Sequence, residues 1–364
     1  MQPTGEGLGA DSRRLATDNL NSSLQKRREY LQECCVKHFL AARDGIVATN
    51  GLELRNMPRL SIVIPVMGRC AAFEAGLVSV LSERPSDCEV VAVLNEPYDN
   101  PYELDDEVRF VHAPSGAGWA ACANRGLLAA QGEIVNLLDA GVKVDAGWTD
   151  AVIAQFRDPK LVAVSSRTRV LEKRTEWAGQ TVESGRLRKV KAGQLRRLRH
   201  KNTFSPLAAA GFYRREDVVS VCGLEEDLPA ELAIADLSLR IHQASGHVAF
   251  ESTAKVSCVA TPDKSAFNQG LGAERFFLMH MDGVSLSGLT VRALRGLPSL
   301  VGGRFGPISG LARLCGRLAA WLNVGKAREG RRVRAALISD LEATIDQRLR
   351  ATDHSPSRPR SVAA

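Results

Sequence analysis

No run of apolar residues in the 364-residue chain approaches the 18 or more positions that a membrane-crossing helix needs. No C-x-x-C pair occurs among the eight cysteines, Cys34, Cys35, Cys70, Cys88, Cys122, Cys222, Cys258 and Cys315, so zinc-site and disulfide-scaffold spacings are both missing and reduced thiols are expected. The opening MQPTGEGLGADSRR lacks the apolar core of a secretory leader, and a cytoplasmic protein is expected. Acids are missing from Arg186 to Lys201, which holds eight Lys and Arg, and aromatics are missing there too. That second absence disfavours single-stranded nucleic acid as the partner, because bases need stacking platforms.

What is present is ordinary globular material: 45% apolar and 24% charged residues, with 48 Lys+Arg against 41 Asp+Glu and a net charge of +7. Such a length buries a full core without staples. The positive charge is concentrated in two places, Arg186–Lys201 and Ser285–Arg350, the latter with twelve Lys/Arg against four acids. Basic surfaces suit phosphates, nucleic acid or an anionic membrane.

Ser23–Ala42 carries apolar residues at helical spacing and reads as an amphipathic helix after a polar tail. From Leu60 the pattern changes. Strands are expected at 60–66, 89–94, 108–112, 134–138 and 161–164, with helices near 71–82 and 119–131 between them. Alternation at this spacing predicts an α/β sheet wound by crossover helices. Further on, a Gly-Phe-Tyr strand, an acidic loop and a helix from Ala233 to Ser245 are expected, then helices broken by Gly and Pro from Glu274. The division predicted is 1–56 as tail and helix, 57–262 as the main domain, 263–350 as a basic helical extension and 351–364 as a disordered tail.

Ligands of wound sheets bind beyond the carboxyl ends of the strands. Those ends read Pro65-Val66-Met-Gly-Arg69, Asn95-Glu96-Pro97, His112 to Gly116 and Asp139 to Val142. Gly118 lets a helix begin close to a ligand, Asn124 offers an amide to a base or ribose, Gly132 is expected to close that helix as a left-handed cap, and the next strand delivers Asp139. Together with Ile62 to Val66 and Asp236-Leu-Ser-Leu-Arg240, the ordered set resembles a family 2 glycosyltransferase of the GT-A fold over about residues 59–258.

The resemblance implies a mixed α/β sheet flanked by helices and transfer of a sugar, with inversion, from a nucleoside-diphosphate donor to a glycan or lipid-linked acceptor, as in polysaccharide biosynthesis. It assigns Pro65, Val66, Asn95, Glu96, Gly118, Asn124 and Asp139 to the donor, Asp139 to a divalent Mg²⁺ or Mn²⁺, and Asp236 or Glu231 to the acceptor side as catalytic carboxylate. The sequence departs from the family at four places. Leu94 stands where a base-contacting carboxylate is usual, Gly141 where the metal-binding second Asp is usual, Ala233 and Ile234 where the base is usual, and Cys258 where a His often closes the metal site. One Asp does not hold a divalent cation against water. Fixed cations from Arg69, Arg125 or the Arg186–Lys201 stretch would then meet the diphosphate charge, or the domain would be a catalytically inactive binding module.

Plainer readings stand beside these. Asp236 also suits a pair with Arg240 at i,i+4, Cys258 a buried thiol, and Trp119 and Trp148 packing; His112 and His247 have no evident partners. The Arg186–Lys201 run suits a solvated helix face or a flap over an anionic ligand. Residues 285–325 alternate apolar blocks with Arg, which suits two helices packed on the sheet or a segment lying in an anionic membrane surface, peripheral on its inner face.

Overall fold

Leu60–Val66 forms β1, and all seven of its residues are buried. It lies between two parallel partners, β2 (Cys88–Leu94) and β4 (Ile134–Leu138). A strand covered on both faces favours apolar residues, and β1 carries them at every position but Ser61, whose hydroxyl donates to Glu89 Oε1. Pro65 falls after Val63, the last β1 residue paired with β4, so its missing N–H costs no ladder bond on that side, and the two strands part there.

The computed structural model describes residues 58–68, 70–172, 174–183, 186–197, 203–259, 265–280, 306–322 and 324–353. The chain divides into two compact units, 1–55 and 56–364, and the described residues belong to the second. The helix expected at Ser23–Ala42, Arg69, residues 281–305 and the tail from 354 lie outside the described residues.

The sheet continues through β3 (Val108–His112), β5 (Lys143–Val144), β6 (Leu161–Val170), β7 (Thr175–Glu183), β8 (Arg186–Lys191), β9 (Thr203–Ser205), β10 (Ala210–Arg214) and β11 (His247–Cys258). Its order is β3-β2-β1-β4-β10-β6-β11-β5, with β7 on β6 and both β8 and β9 on β7. β10 runs antiparallel to β4 and to β6, so the sheet is mixed and β6 points the same way as β4. The α/β class and the mixed sheet expected from the sequence are those observed.

The described helices are α1 (Cys70–Glu83), α2 (Trp119–Ala129), α3 (Asp150–Gln155), α4 (Arg215–Ser220), α5 (Ala230–Gln243), α6 (Ala266–His280), α7 (Gly306–Trp321) and α8 (Val324–Asp353). One face of the sheet packs Val63, Val93, Leu137 and Tyr213 against α2, α4 and α5, and Phe276, Leu341 and Ile345 of the C-terminal helices join the same cluster. The other face packs Ile62, Ile64, Phe212 and Val256 against α1 and α3. Helix α2 lies directly on the strands, because a Cβ on Gly126 would be driven into Val63 Cγ1 and come within 3.0 Å of Val93. Gly126→Ala is therefore expected to lower unfolding stability by about 3 kcal/mol, read in a denaturant titration, since neither β1 nor β2 can move away without opening the core.

Three local expectations are corrected. Gly132 is not a left-handed cap: it is absent from the residues with positive φ, and α2 already ends at Ala130 in extended conformation. Close approach explains this glycine, because a Cβ there would sit 2.8 Å from Ser61 N and Oγ while its own N–H donates to Ser61 Oγ. The fifth strand runs on from Val164 to Val170, since its polar half pairs with β7 and β11. The basic run is not a helix face. Its first six residues form β8 against β7, and Ala192–Arg197 a 3-10 turn, because β7 offers an edge that alternating Arg and Lys can pair with.

Candidate active site

The carboxyl ends of β1, β2 and β4 lie at one rim, and the strand order reverses between β1 and β4. At the end of β4, Asp139 donates its N–H to the Ala209 carbonyl at 3.0 Å and accepts from the Trp119 indole at 3.2 Å. Trp119 thus orients the carboxylate as well as packing.

Glu231 stands in the first turn of α5, where the helix dipole favours an anion. Its carboxylate accepts from the Ala208 N–H at 3.0 Å and lies 3.5 Å from Lys189 Nζ on β8. Ala208 and Ala209 are consecutive, so one short turn holds Glu231 by its N–H and Asp139 by its carbonyl. Gln180 donates to the Glu231 carbonyl at 2.9 Å and fixes the helix start against β7. The Tyr213 hydroxyl is buried beneath this spot. Burial chiefly, and the Glu231 charge in addition, push its pKa far up.

Asp236 is elsewhere. It is fully buried, with Oδ2 on Arg240 at 2.8 Å and Oδ1 on His280 Nε2 at 2.8 Å. Arg240 in turn donates to the carbonyls of Val221 and Gly223. A carboxylate enclosed in this way ties α5 to α6 and to the 221–223 loop. The pair with Arg240 is the observed arrangement.

Of the donor residues, Asn95 donates to the Ala117 carbonyl at 3.3 Å, while its buried Oδ1 has no partner among the described residues. The Glu96 carboxylate lies over Gly68, whose φ of +62° turns the chain after β1. Pro65 and Val66 form the β1 end, and Gly118 caps α2, where a Cβ would meet the Glu226 carbonyl at an ordinary 4.0 Å. Asn124 is engaged: its Oδ1 accepts from Leu224 N, and its Nδ2 donates to Leu224 O and Glu226 Oε1. In this structure it clamps the 223–226 loop.

The departures from the family pattern are built into the packing. Leu94, Ala233 and Ile234 belong to the apolar core. Gly141 has φ +87°, and a Cβ there would meet the Ala72 methyl at 3.0 Å, so an aspartate does not fit. Burial pushes the Cys258 thiol up, Lys189 pulls it down, and Asp139, Glu172 and Glu231 push it up again. A thiol held protonated is a poor ligand. Among the described residues no group of three or more His, Cys, Asp or Glu could hold a metal ion. These donors do not fit a divalent cation, and Lys189 places a positive charge beside Glu231.

A concavity of about 890 Å³ lies away from this rim, at the end of β6 and the start of β7, lined by Arg167, Arg169, Arg174, Glu176 and Lys191 among others. Glu176 pairs with Arg167 and Arg169, at 2.8 and 3.0 Å.

Residues 61–219 match the family model described as Glycosyl transferase family 2. A pre-mycofactocin glycosyltransferase of Mycobacterium tuberculosis is 25% identical over 173 residues, 46% of this chain and 33% of that protein. An uncharacterized glycosyltransferase of Haemophilus influenzae is 30% identical over 91 residues, 23% of this chain and 36% of that protein. The chain thus spans about a third of the length of these relatives. Among solved structures, GalNAc-T7 with UDP, GalNAc and Mn²⁺ aligns at a TM-score of 0.47 and 15% identity, over 66% of this chain and 54% of its own. The mannosyltransferase PcManGT of Pyrobaculum calidifontis with GDP-Man and Mn²⁺ aligns at 0.46 and 17%, over 89% and 100%.

Proposed function

We propose, on the match of residues 61–219 to glycosyl transferase family 2, that the chain transfers a sugar from a nucleoside-diphosphate donor to a glycan or lipid-linked acceptor without a bound divalent metal. The donor lies across the ends of β1, β2 and β4, with Asn95 and Glu96 at the nucleotide and Asp139 at the ribose or sugar. Glu231 takes the proton of the acceptor hydroxyl, the oxygen attacks the anomeric carbon from the face opposite the phosphate, and the carbon–phosphate oxygen bond breaks with inversion. Lys189 offsets the charge that develops on the departing diphosphate.

The observation that carries this reading is the Ala208–Ala209 turn, which holds a half-exposed carboxylate beside Asp139 with a lysine 3.5 Å away. The purified chain, given a panel of uridine, guanosine and thymidine diphosphate sugars, is expected to release nucleoside diphosphate from one of them, at a rate that EDTA leaves unchanged. Turnover that vanishes in EDTA overturns the metal-free part. Saturable nucleotide binding with no turnover favours a second reading, an inactive binding module, for which the buried Leu94, Ala233 and Ile234 already speak.

A further inference from the structure

Arg167, Arg169, Arg174 and Lys191 line the concavity of about 890 Å³ at the end of β6 and the start of β7, and Glu176 is the one acid among its described lining residues. The ladder places them. Arg169 stands directly opposite Glu176, and Arg167 lies two residues earlier on the same face of β6. Hydrogen bonds from Arg169 above all hold the Glu176 carboxyl below the usual range against the opposing effect of burial, and the Arg167 charge adds to them. The carboxylate is therefore ionised, and it offsets one guanidinium of the two.

The remaining positive charge is unmatched among the described residues. Arg174 and Lys191 have no acidic partner there, and the buried Nε of Arg167 donates to nothing. Arg174 also holds φ +45°, a conformation in which Gly or Asn would be less strained than an arginine. Like charges gathered in a hollow repel one another and focus a positive field on its interior, and a bound anion relieves both effects.

Size, lining and position say which anion. A hollow of this volume takes a ligand of several rings rather than a single ion. No aromatic side chain lines it among the described residues, so a nucleobase finds no platform to stack on. Guanidinium forks match the oxygens of carboxylate and phosphate groups. Lys189, 3.5 Å from Glu231, and Lys191 stand on one face of β8 with the buried Val190 between them, about 7 Å apart along the strand. A saccharide whose terminal hydroxyl reaches Glu231 would lay its next units toward Lys191 and the arginines.

We propose that this concavity is an acceptor subsite and that the acceptor is an acidic saccharide, whose carboxylate or phosphate groups Arg167, Arg169, Arg174 and Lys191 bind. The acceptor role rests on the sugar transfer proposed above; anion binding does not, and it is measured without donor or turnover, so the two fail separately. The test is titration calorimetry of the full chain with hexagalacturonate, with inorganic tripolyphosphate and with the neutral maltohexaose. The wild type is expected to bind at least one of the two anions, more weakly as salt rises, and not the neutral sugar; the anion that binds tells carboxylate from phosphate. Arg169→Gln/Arg174→Asn and Arg174→Asn/Lys191→Gln are each expected to weaken that binding at least about tenfold, as the loss of charge-assisted contacts implies. Their circular-dichroism spectra should not change, because the altered side chains are exposed, Arg167 still pairs with Glu176 and asparagine suits the backbone at position 174. Arg157→Gln/Lys160→Gln, which removes two exposed cations at the far end of β6, is expected to bind as the wild type does. Failure to bind either anion, equal binding of the neutral sugar, or an equal loss in Arg157→Gln/Lys160→Gln overturns the proposal, as does binding that both concavity variants retain.

Discussion

Glu231→Gln is expected to lower the rate of sugar transfer by about two to four orders of magnitude while leaving donor binding and folding as they are. The substitution is nearly isosteric, and the amide oxygen still accepts from the Ala208 N–H, now at 3.0 Å. What disappears is the negative charge. Its pair with Lys189 is half-exposed on both sides, so its loss changes stability by about 1 kcal/mol at most. The proton acceptor is lost completely, and the loss should therefore fall on kcat with KM for the donor unchanged. Single-turnover rates with saturating donor, beside a nucleotide titration, separate the two. A variant that keeps the wild-type rate removes Glu231 from the chemistry. Since the family's usual base positions are the buried Ala233 and Ile234, no nearby carboxylate on α5 would then inherit the role: Asp236 is enclosed by Arg240 and His280.

How far the sequence reveals all this depends on how completely each element is buried. The strands β1, β2 and β4 were legible because parallel strands covered on both faces are predominantly apolar, so their boundaries stand out within a residue or so. The β7–β8 ribbon was not legible. Its residues pair across strands with one face toward solvent, and runs such as Arg-Leu-Arg-Lys-Val-Lys carry no periodicity that separates strand from helix. Glycines mark the same division: Gly132 was recognisable as special, but whether a glycine serves a dihedral angle or a close approach depends on Ser61, far away in the chain.

The site follows the same logic. The place of Asp139 was readable because a strand end in a wound sheet is defined by topology, while the role proposed for Glu231 rests on its place in the first turn of α5. The Ala208–Ala209 turn that joins them was not, since it involves only backbone atoms of alanines. Asp236 was readable as one of two things, and the partner that decides between them, His280, comes from a helix whose docking no local pattern gives.

Asp236→Ala is accordingly expected to act on folding first, with a loss of about 3–5 kcal/mol. Removing the carboxylate leaves Arg240, itself almost fully buried, without its counter-ion, and leaves the His280 imidazole facing a small void. The Val221 and Gly223 carbonyls still accept from Arg240, so the cation stays in place and the cost of burying it is undiminished. Asp236→Asn keeps an acceptor of the same shape and should lose less, which separates charge from packing. The effect should also spread in a defined direction. Arg240 holds the 221–223 loop from beneath, and Asn124 holds the adjoining residue Leu224 and Glu226 from α2. Amide exchange in residues 221–226 should accelerate in Asp236→Ala before that of β1 or β4. Equilibrium unfolding in denaturant, with exchange measured on the same variants, tests both. A loss of activity at undiminished stability would instead return Asp236 to the acceptor side, because an enclosed ion pair that contributes nothing to folding has no other reason to hold two partners at 2.8 Å.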